Sequence, residues 1–134
     1  MFKRIDHIEL VTASPERAER FYTGVLGFRV RERMRVPKTP SGPLDLVYLD
    51  LGGTTVELMS YPDAAIDAPS SGERLGYRMM ALEVEDMDAA LAYLKGKGID
   101  CIWGPMKRPA YARAEIRDPD GNSIELRQWI DAAS

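Results

Sequence analysis

The sequence contains a single histidine and a single cysteine among its 134 residues. The lone Cys101 excludes an internal disulfide, which is typical of a protein from a reducing compartment, and we expect the cytoplasm. The lone His7 excludes any metal site that needs two histidines from one chain. A long apolar run is also missing. The opening segment Met1–Val11 is interrupted by Asp6, His7 and Glu9, so it predicts neither a signal peptide nor a membrane span.

Composition and charge narrow the class of protein further. With 45% hydrophobic and 29% charged residues, the chain has the composition of an ordinary globular protein. Its length corresponds to a single domain, residues 1–134. The net charge of −3 argues against a nucleic-acid partner, which would require a basic face.

The chain contains an internal repeat. The segment Gly53–Leu58 (GTTVEL) returns as Gly121–Leu126 (GNSIEL), at an offset of 68 between the shared glutamates (125 − 57). The strand-like segment His7–Leu10 has its counterpart in Met79–Leu82, at an offset of 72 (79 − 7). A duplicated unit folds into two similar halves, and we expect their matching positions to converge on one shared site.

Each half has the pattern of a strand, a helix and three further strands. Module one spans about residues 2–61, with Ser14 as the helix N-cap and a hairpin turn at Gly52–Gly53. Module two spans about residues 77–130, with Asp86 as the helix N-cap. The pattern also predicts a first strand at Phe2–Val11, a loop at Pro37–Pro43, a fifth strand at Tyr77–Val84 and a short strand at Ile99–Trp103.

Strand parity places three polar residues on the face that points away from the helices. Glu57 and Glu125 alternate with aliphatic neighbours, and His7 has the same phase. A carboxylate in the middle of a strand is costly to bury without a partner. A divalent cation held by an imidazole and two carboxylates would be such a partner, and this ligand set suits Ni²⁺, Zn²⁺, Mn²⁺, Co²⁺ or Fe²⁺. The alternative interpretation is a structural histidine with solvated or ion-paired glutamates.

Over essentially its whole length, the chain resembles the vicinal oxygen chelate superfamily, which contains glyoxalase I, methylmalonyl-CoA epimerase, extradiol dioxygenases and bleomycin-resistance proteins. The resemblance rests on Ile5–Ile8, on the paired layout of strand, helix and three strands, and on the closing motif Asp118–Leu126 (DPDGNSIEL). It implies an α+β fold of two βαβββ modules, whose curved sheets surround a central cavity. Related proteins often pair, and sheet edges need covering, so we expect a homodimer whose site combines halves from different chains.

The metal-ligand pattern of glyoxalase I falls, by resemblance, on His7, Glu57, Met79 and Glu125. Met79 stands where that pattern has a second histidine. Because a thioether is a weak ligand for hard divalent ions, we expect Met79 to line the substrate pocket and His7, Glu57 and Glu125 to bind the metal.

The resemblance implies a metal-dependent lyase or isomerase, similar to lactoylglutathione lyase or to an epimerase. Such an enzyme acts on a small molecule with adjacent oxygens through an enediolate-like intermediate. Glu125 or Glu57 would move the proton as the general base. The alternative function is metal-free binding of a small molecule or drug, as in the bleomycin-resistance branch.

Overall fold

The computed structural model describes residues 1–131 and divides into two compact units, one spanning Met1–Ala68 and the other beginning at Pro69. The first unit consists of β1 (Ile8–Val11), α1 (Pro15–Arg20) with a π-helical continuation (Phe21–Val25), β2 (Arg29–Thr39), β3 (Gly42–Leu51) and β4 (Thr54–Ser60). The second consists of β5 (Met80–Glu83), α2 (Met87–Gly96), β6 (Trp103–Lys107), β7 (Tyr111–Arg117) and β8 (Ser123–Trp129). The predicted α+β fold of two βαβββ modules is confirmed. Within residues 1–131, no helix is long and apolar enough to cross a membrane.

The two units share one sheet topology. The strand order is β1-β4-β3-β2 in the first unit and β5-β8-β7-β6 in the second. Strand β1 runs parallel to β4, and β5 runs parallel to β8. All other neighbouring strands are antiparallel. Ile8 pairs with Val56, and Met80 pairs with Ile124, which reproduces both sequence offsets (80 − 8 = 72 and 124 − 56 = 68). The sequence repeat is therefore also a repeat of strand register.

Aliphatic residues of the central strands form the buried core of each unit. Val56 and Leu58 are buried in β4, as are Ile124 and Leu126 in β8. Helix α1 packs against β4, and α2 packs against β7 and β8. Because side chains alternate along a strand, the glutamates between these aliphatic pairs point to the opposite face of their sheets, as parity predicted.

The two helices begin with different chemistry. Asp86 caps α2 as predicted, since its carboxylate accepts a hydrogen bond of 2.8 Å from the backbone N–H of Ala89. Ser14 is the N-cap residue of α1 as predicted, but its side chain makes no capping bond. Instead, the backbone N–H of Ser14 donates to Oγ1 of Thr12 at 3.1 Å, and Pro15 begins α1. Proline suits this place because the first helical N–H has no acceptor within the helix.

Two strands are shorter than predicted. The first begins at Ile8 rather than Phe2, and the fifth begins at Met80 rather than Tyr77. Strand pairing sets these limits, since β1 is matched by β4 only over Ile8–Val11. His7 and Met79, both predicted within strands, therefore lie directly before them.

The predicted loop at Pro37–Pro43 is wrong, because most of it belongs to strands. Strand β2 continues through Pro37 to Thr39, and β3 begins at Gly42. Proline has no backbone N–H to donate to a neighbouring strand. Strand β2 can accommodate it because β2 is an end strand, with a neighbour on one side only. Proline thus marked an end strand here, not a loop.

The predicted strand at Ile99–Trp103 is also misplaced, because β6 starts at Trp103 and contains Gly104 and Pro105. This is again an end strand, with a register shift after Trp103. Gly104 has a φ of 83°, and a Cβ there would lie 2.9 Å from the carbonyl oxygen of Arg113. Only glycine allows this close approach of β6 to β7.

Candidate metal centre

A row of polar side chains crosses the first sheet on the face opposite Val56 and Leu58. Glu9 on β1 is in register with Glu57 on β4, which is in register with Tyr48 on β3. Glu57 is only 6% exposed, whereas Glu9 is largely exposed. Like charges on directly neighbouring strand positions destabilise a sheet, so the pair of glutamates requires a compensating positive charge.

His7 reaches this row from the segment before β1. Its Nε2 lies 3.1 Å from Oε2 of Glu57 and 3.3 Å from Oε2 of Glu9. Its Nδ1 lies 2.9 Å from Oδ2 of Asp6, and because an ionised carboxylate can only accept, Nδ1 donates this bond. The ring of Tyr48 meets the imidazole edge-on, with the centroids 6.2 Å apart. Asp6 thus fixes the ring orientation and leaves Nε2 directed at two carboxylates.

The electrostatics of this cluster are dominated by its carboxylates. Hydrogen bonds from the imidazole to Asp6 and Glu9 raise the pKa of His7. Burial raises the pKa of Glu57, and the nearby charge of Glu9 raises it further. The hydrogen bond with His7 lowers the pKa of Asp6. Among residues 1–131, His7 is the only basic side chain within ion-pair distance of Glu9 or Glu57, so the cluster holds an excess of negative charge.

This donor set fits a divalent cation. One ligand atom from each of His7, Glu9 and Glu57 lies within 4.8 Å of the others. An imidazole nitrogen with carboxylate oxygens suits Ni²⁺, Zn²⁺, Mn²⁺, Co²⁺ or Fe²⁺. The bond from Nδ1 to Asp6 is the kind of contact that orients a metal-binding histidine.

The structure brings together His7 and Glu57, which the sequence predicted as partners, and adds Glu9, which it did not. Glu9 escaped prediction because the matching residue of the second copy is Ala81 (81 − 9 = 72), so the repeat gives no indication of it. Its strand phase, shared with His7, is the one feature of the sequence that indicates it.

Comparison with known proteins places the whole architecture in one family. A model described as the Glyoxalase/Bleomycin resistance protein/Dioxygenase superfamily matches residues 4–126. The chain belongs to this superfamily. It is 30% identical to the mitochondrial methylmalonyl-CoA epimerase of Mus musculus, over 93% of this chain and 72% of that protein. It is 28% identical to lactoylglutathione lyase of Salmonella typhimurium, over 96% of this chain and 95% of that protein.

A solved structure supports the same assignment. The crystal structure of the glyoxalase family protein from Enterococcus faecalis has a TM-score of 0.78 and 27% sequence identity, covering 94% of this chain and 98% of that one. The family resemblance inferred from the sequence motifs is confirmed.

In the second unit of this glyoxalase-superfamily chain, the repeated glutamate is surrounded by arginines. Oε1 of Glu125 accepts hydrogen bonds from Nε of Arg113 at 2.9 Å and lies 2.8 Å from Nη2 of the same residue. Oε2 of Glu125 accepts from Nε of Arg127 at 2.9 Å. The register partner of Glu125 is Glu115, which lies 3.6 Å from Nη2 of Arg113. Both oxygens of Glu125 therefore have cationic partners within its own unit.

Aromatic rings extend this arginine-rich face. Cζ of Arg113 lies 4.6 Å from the ring centroid of Trp103. Cζ of Arg127 lies 4.4 Å from the ring of Tyr111 and 4.8 Å from that of Trp129. Such stacking holds the guanidinium groups in position over their carboxylate partners.

The two remaining predicted features of the second unit occupy its strand ends. Met79 is half-buried and precedes β5 as His7 precedes β1.

The motif that begins at Asp118 forms the turn into β8. Oδ1 of Asp118 accepts from the backbone N–H groups of Asp120 at 3.0 Å and Asn122 at 2.9 Å, and its Oδ2 accepts from Nδ2 of Asn122 at 2.9 Å. This buried aspartate fixes where β8 starts, and hence the phase of Glu125.

Proposed function

We propose that the protein is a metal-dependent lyase or isomerase of glyoxalase type, which acts on a small molecule with adjacent oxygens through an enediolate-like intermediate. In this proposal His7, Glu57 and Glu125 bind one divalent cation, and Met79 lines the substrate pocket. The main supporting observation is the approach of His7 Nε2 to the buried carboxylate of Glu57, at 3.1 Å. The relatives named methylmalonyl-CoA epimerase and lactoylglutathione lyase support the choice of reaction class.

The residues around His7 have distinct parts in this proposal. A bound divalent cation supplies Lewis-acid chemistry that makes a C–H bond next to chelated oxygens easier to deprotonate. Asp6 holds the imidazole with Nε2 directed at the carboxylates. Tyr48 is the register partner of Glu57 and meets the imidazole edge-on, so it packs against the cluster from β3. Either Glu57 or Glu125 accepts the substrate proton as the general base.

We also propose that residues 1–134 act as one domain and that two chains form a homodimer, with ligands of one site drawn from both subunits. The end strands of the two sheets are β1 and β2 in the first unit, and β5 and β6 in the second. End strands present backbone groups that a second chain can pair with or cover.

The proposed function is tested by metal content together with proton exchange. Full-length protein purified without chelator should contain near-stoichiometric transition metal. It should also form lactoylglutathione, or exchange the α-proton of methylmalonyl-CoA with D₂O, as followed by NMR. His7→Ala should lose both the metal and the turnover, because it removes the only imidazole ligand. Metal below about a tenth of stoichiometry, with no gain on soaking in Ni²⁺ or Zn²⁺, would contradict the proposal.

A second candidate function is metal-free binding of a small molecule or drug, and the aromatic face of the second unit favours it. Trp103 and Trp129 are 42% and 60% exposed and stack against Arg113 and Arg127. Exposed rings beside guanidinium groups suit a planar ligand that carries negative charge. Saturable quenching of tryptophan fluorescence by such a compound, in protein treated with chelator and inactive with metal, would support this candidate. The same quenching in Trp129→Ala would oppose it.

A further inference from the structure

We infer that Glu9 is a further ligand of the divalent cation proposed for His7 and Glu57. The inference rests on the proposed function. It concerns a residue outside the four positions onto which the glyoxalase I ligand pattern falls.

The strand register places Glu9 beside the proposed ligands. Glu9 and Glu57 are register partners on the parallel strands β1 and β4, so their side chains leave the sheet side by side on one face. Oε2 of Glu9 lies 3.3 Å from His7 Nε2, the same nitrogen that approaches Glu57. An ion bound between Nε2 and Glu57 would therefore lie within reach of Glu9.

Three carboxylates crowd the single imidazole of His7. Asp6 approaches its Nδ1 at 2.9 Å, and Glu9 and Glu57 both approach its Nε2, at 3.3 Å and 3.1 Å. A divalent cation held between Nε2 and the two glutamates would balance this concentration of negative charge.

In the other half of the repeat, arginines neutralise Glu125, the residue that matches Glu57. Arg113 and Arg127 are register partners and together neutralise Glu125. The matching register partners in the first unit are Leu46 and Met59 (127 − 59 = 68), and both are buried. The first unit thus has apolar side chains where the second has its cations.

At the position of Glu9, the first unit carries a charged side chain and the second unit an apolar one. The second unit has Ala81 there, so β5 adds no charge beside Glu125, and the carboxylate that β7 adds, Glu115, lies 3.6 Å from Nη2 of Arg113. The first unit adds a second carboxylate beside Glu57 and, among the described residues, supplies only His7 to balance the pair. An added carboxylate without an added arginine is what a cation site requires.

The test is a metal titration of the full chain with Glu9→Gln, using Glu32→Gln as the matched control. Glu32 is exposed, lies on the same sheet, and is the register partner of Tyr48, on the side away from Glu57. Gln keeps the size of the side chain but removes the charge. Because Glu9 and Glu32 are both exposed, both metal-free variants should fold, and Glu9→Gln should unfold at no lower temperature than the native chain, since it removes a like charge beside Glu57.

Co²⁺ and Ni²⁺ binding would be followed by calorimetry and by the visible absorption of bound Co²⁺. We expect Glu9→Gln to raise the Kd by at least about tenfold and to change the Co²⁺ spectrum, since an anionic carboxylate ligand is replaced by a neutral amide. Glu32→Gln should stay within about twofold of the native Kd, because it removes only a distant, screened charge.

Three results would overturn the inference. If the native chain binds the ion and Glu9→Gln binds it equally well, Glu9 is not a ligand, while the proposed function stands. If Glu9→Gln and Glu32→Gln weaken binding to the same extent with an unchanged Co²⁺ spectrum, Glu9 acts only through its charge. If the native chain binds neither ion, the inference and the proposed function both fail.

Discussion

Replacing Arg113 with methionine should destabilise the protein by about 2–4 kcal/mol, because it removes the cation shared by two glutamates. Nε and Nη2 of Arg113 lie 2.9 Å and 2.8 Å from Oε1 of Glu125, with the two side chains 16% and 14% exposed. A hydrogen bond to a charged group contributes about 1.5–3 kcal/mol. Arg127 still neutralises the other oxygen, so the loss should fall below the upper range of about 3–5 kcal/mol for a fully broken buried pair.

The assay is urea unfolding followed by tryptophan fluorescence, with Arg113→Met, Glu125→Gln and the double variant compared. In the double variant no carboxylate at 125 is left without its cation, so its cost should be smaller than the sum of the single costs, by about 1–3 kcal/mol. Arg117→Met is the matched control, because Arg117 is an exposed arginine on the same strand and should change stability by less than about 0.5 kcal/mol.

A cost for Arg113→Met that does not exceed that of Arg117→Met would refute the reasoning, as would additive effects in the double variant. Either result would mean that the arginines do not hold Glu125, and that its carboxylate is free to serve another group. A strong coupling would instead show that any function of Glu125 begins with its release from two guanidinium groups.

Three further predictions concern the repeat, the closing turn and the assembly. Met79→His should tighten metal binding by about tenfold or more without lowering stability, because it restores an imidazole at the position that matches His7; a loss of about 1–3 kcal/mol with unchanged affinity would instead identify Met79 as a packed core residue. Asp118→Ala should cost about 2–3 kcal/mol in urea unfolding, since it removes the acceptor of three hydrogen bonds in a buried turn, whereas a cost near zero would contradict this. Light scattering at micromolar concentration should give the mass of a homodimer, and a monomer mass would contradict the proposed assembly.

The sequence predicted the fold well because the chain contains two copies of the same unit. The offsets of 72 and 68 recur in the pairing of Ile8 with Val56 and of Met80 with Ile124. Alternation in the last strand of each copy also identified the buried aliphatic face, since polar and apolar residues cannot exchange faces without a register slip.

Strand ends were harder to predict, because they depend on pairing partners that one segment does not reveal. The run Phe2–Val11 alternates throughout, yet only Ile8–Val11 has a partner in β4. Pro37 indicated a loop because proline removes a backbone donor, but β2 is an end strand where that loss is tolerated. Topology, not local propensity, decides both cases.

The candidate site shows the same dependence on register at the level of chemistry. The sequence repeat indicates the same role for Glu57 and Glu125, because each follows the same pattern in its own strand. Their neighbours differ, however. Glu57 has the carboxylate of Glu9 beside it, whereas Glu125 and its neighbour Glu115 share the guanidinium group of Arg113.

A duplicated carboxylate therefore does not have the same chemistry in its two copies. In the second unit Arg113 and Arg127 neutralise it, so a metal ion or a substrate proton must displace a guanidinium group to reach Glu125. In the first unit, Leu46 and Met59 occupy the positions that the two arginines hold in the second unit. Glu9 adds a further negative charge beside Glu57. The second unit thus balances its carboxylates with arginines, whereas the first unit has more carboxylates than cationic partners around Glu57. This difference is the physical reason to expect the cation beside His7.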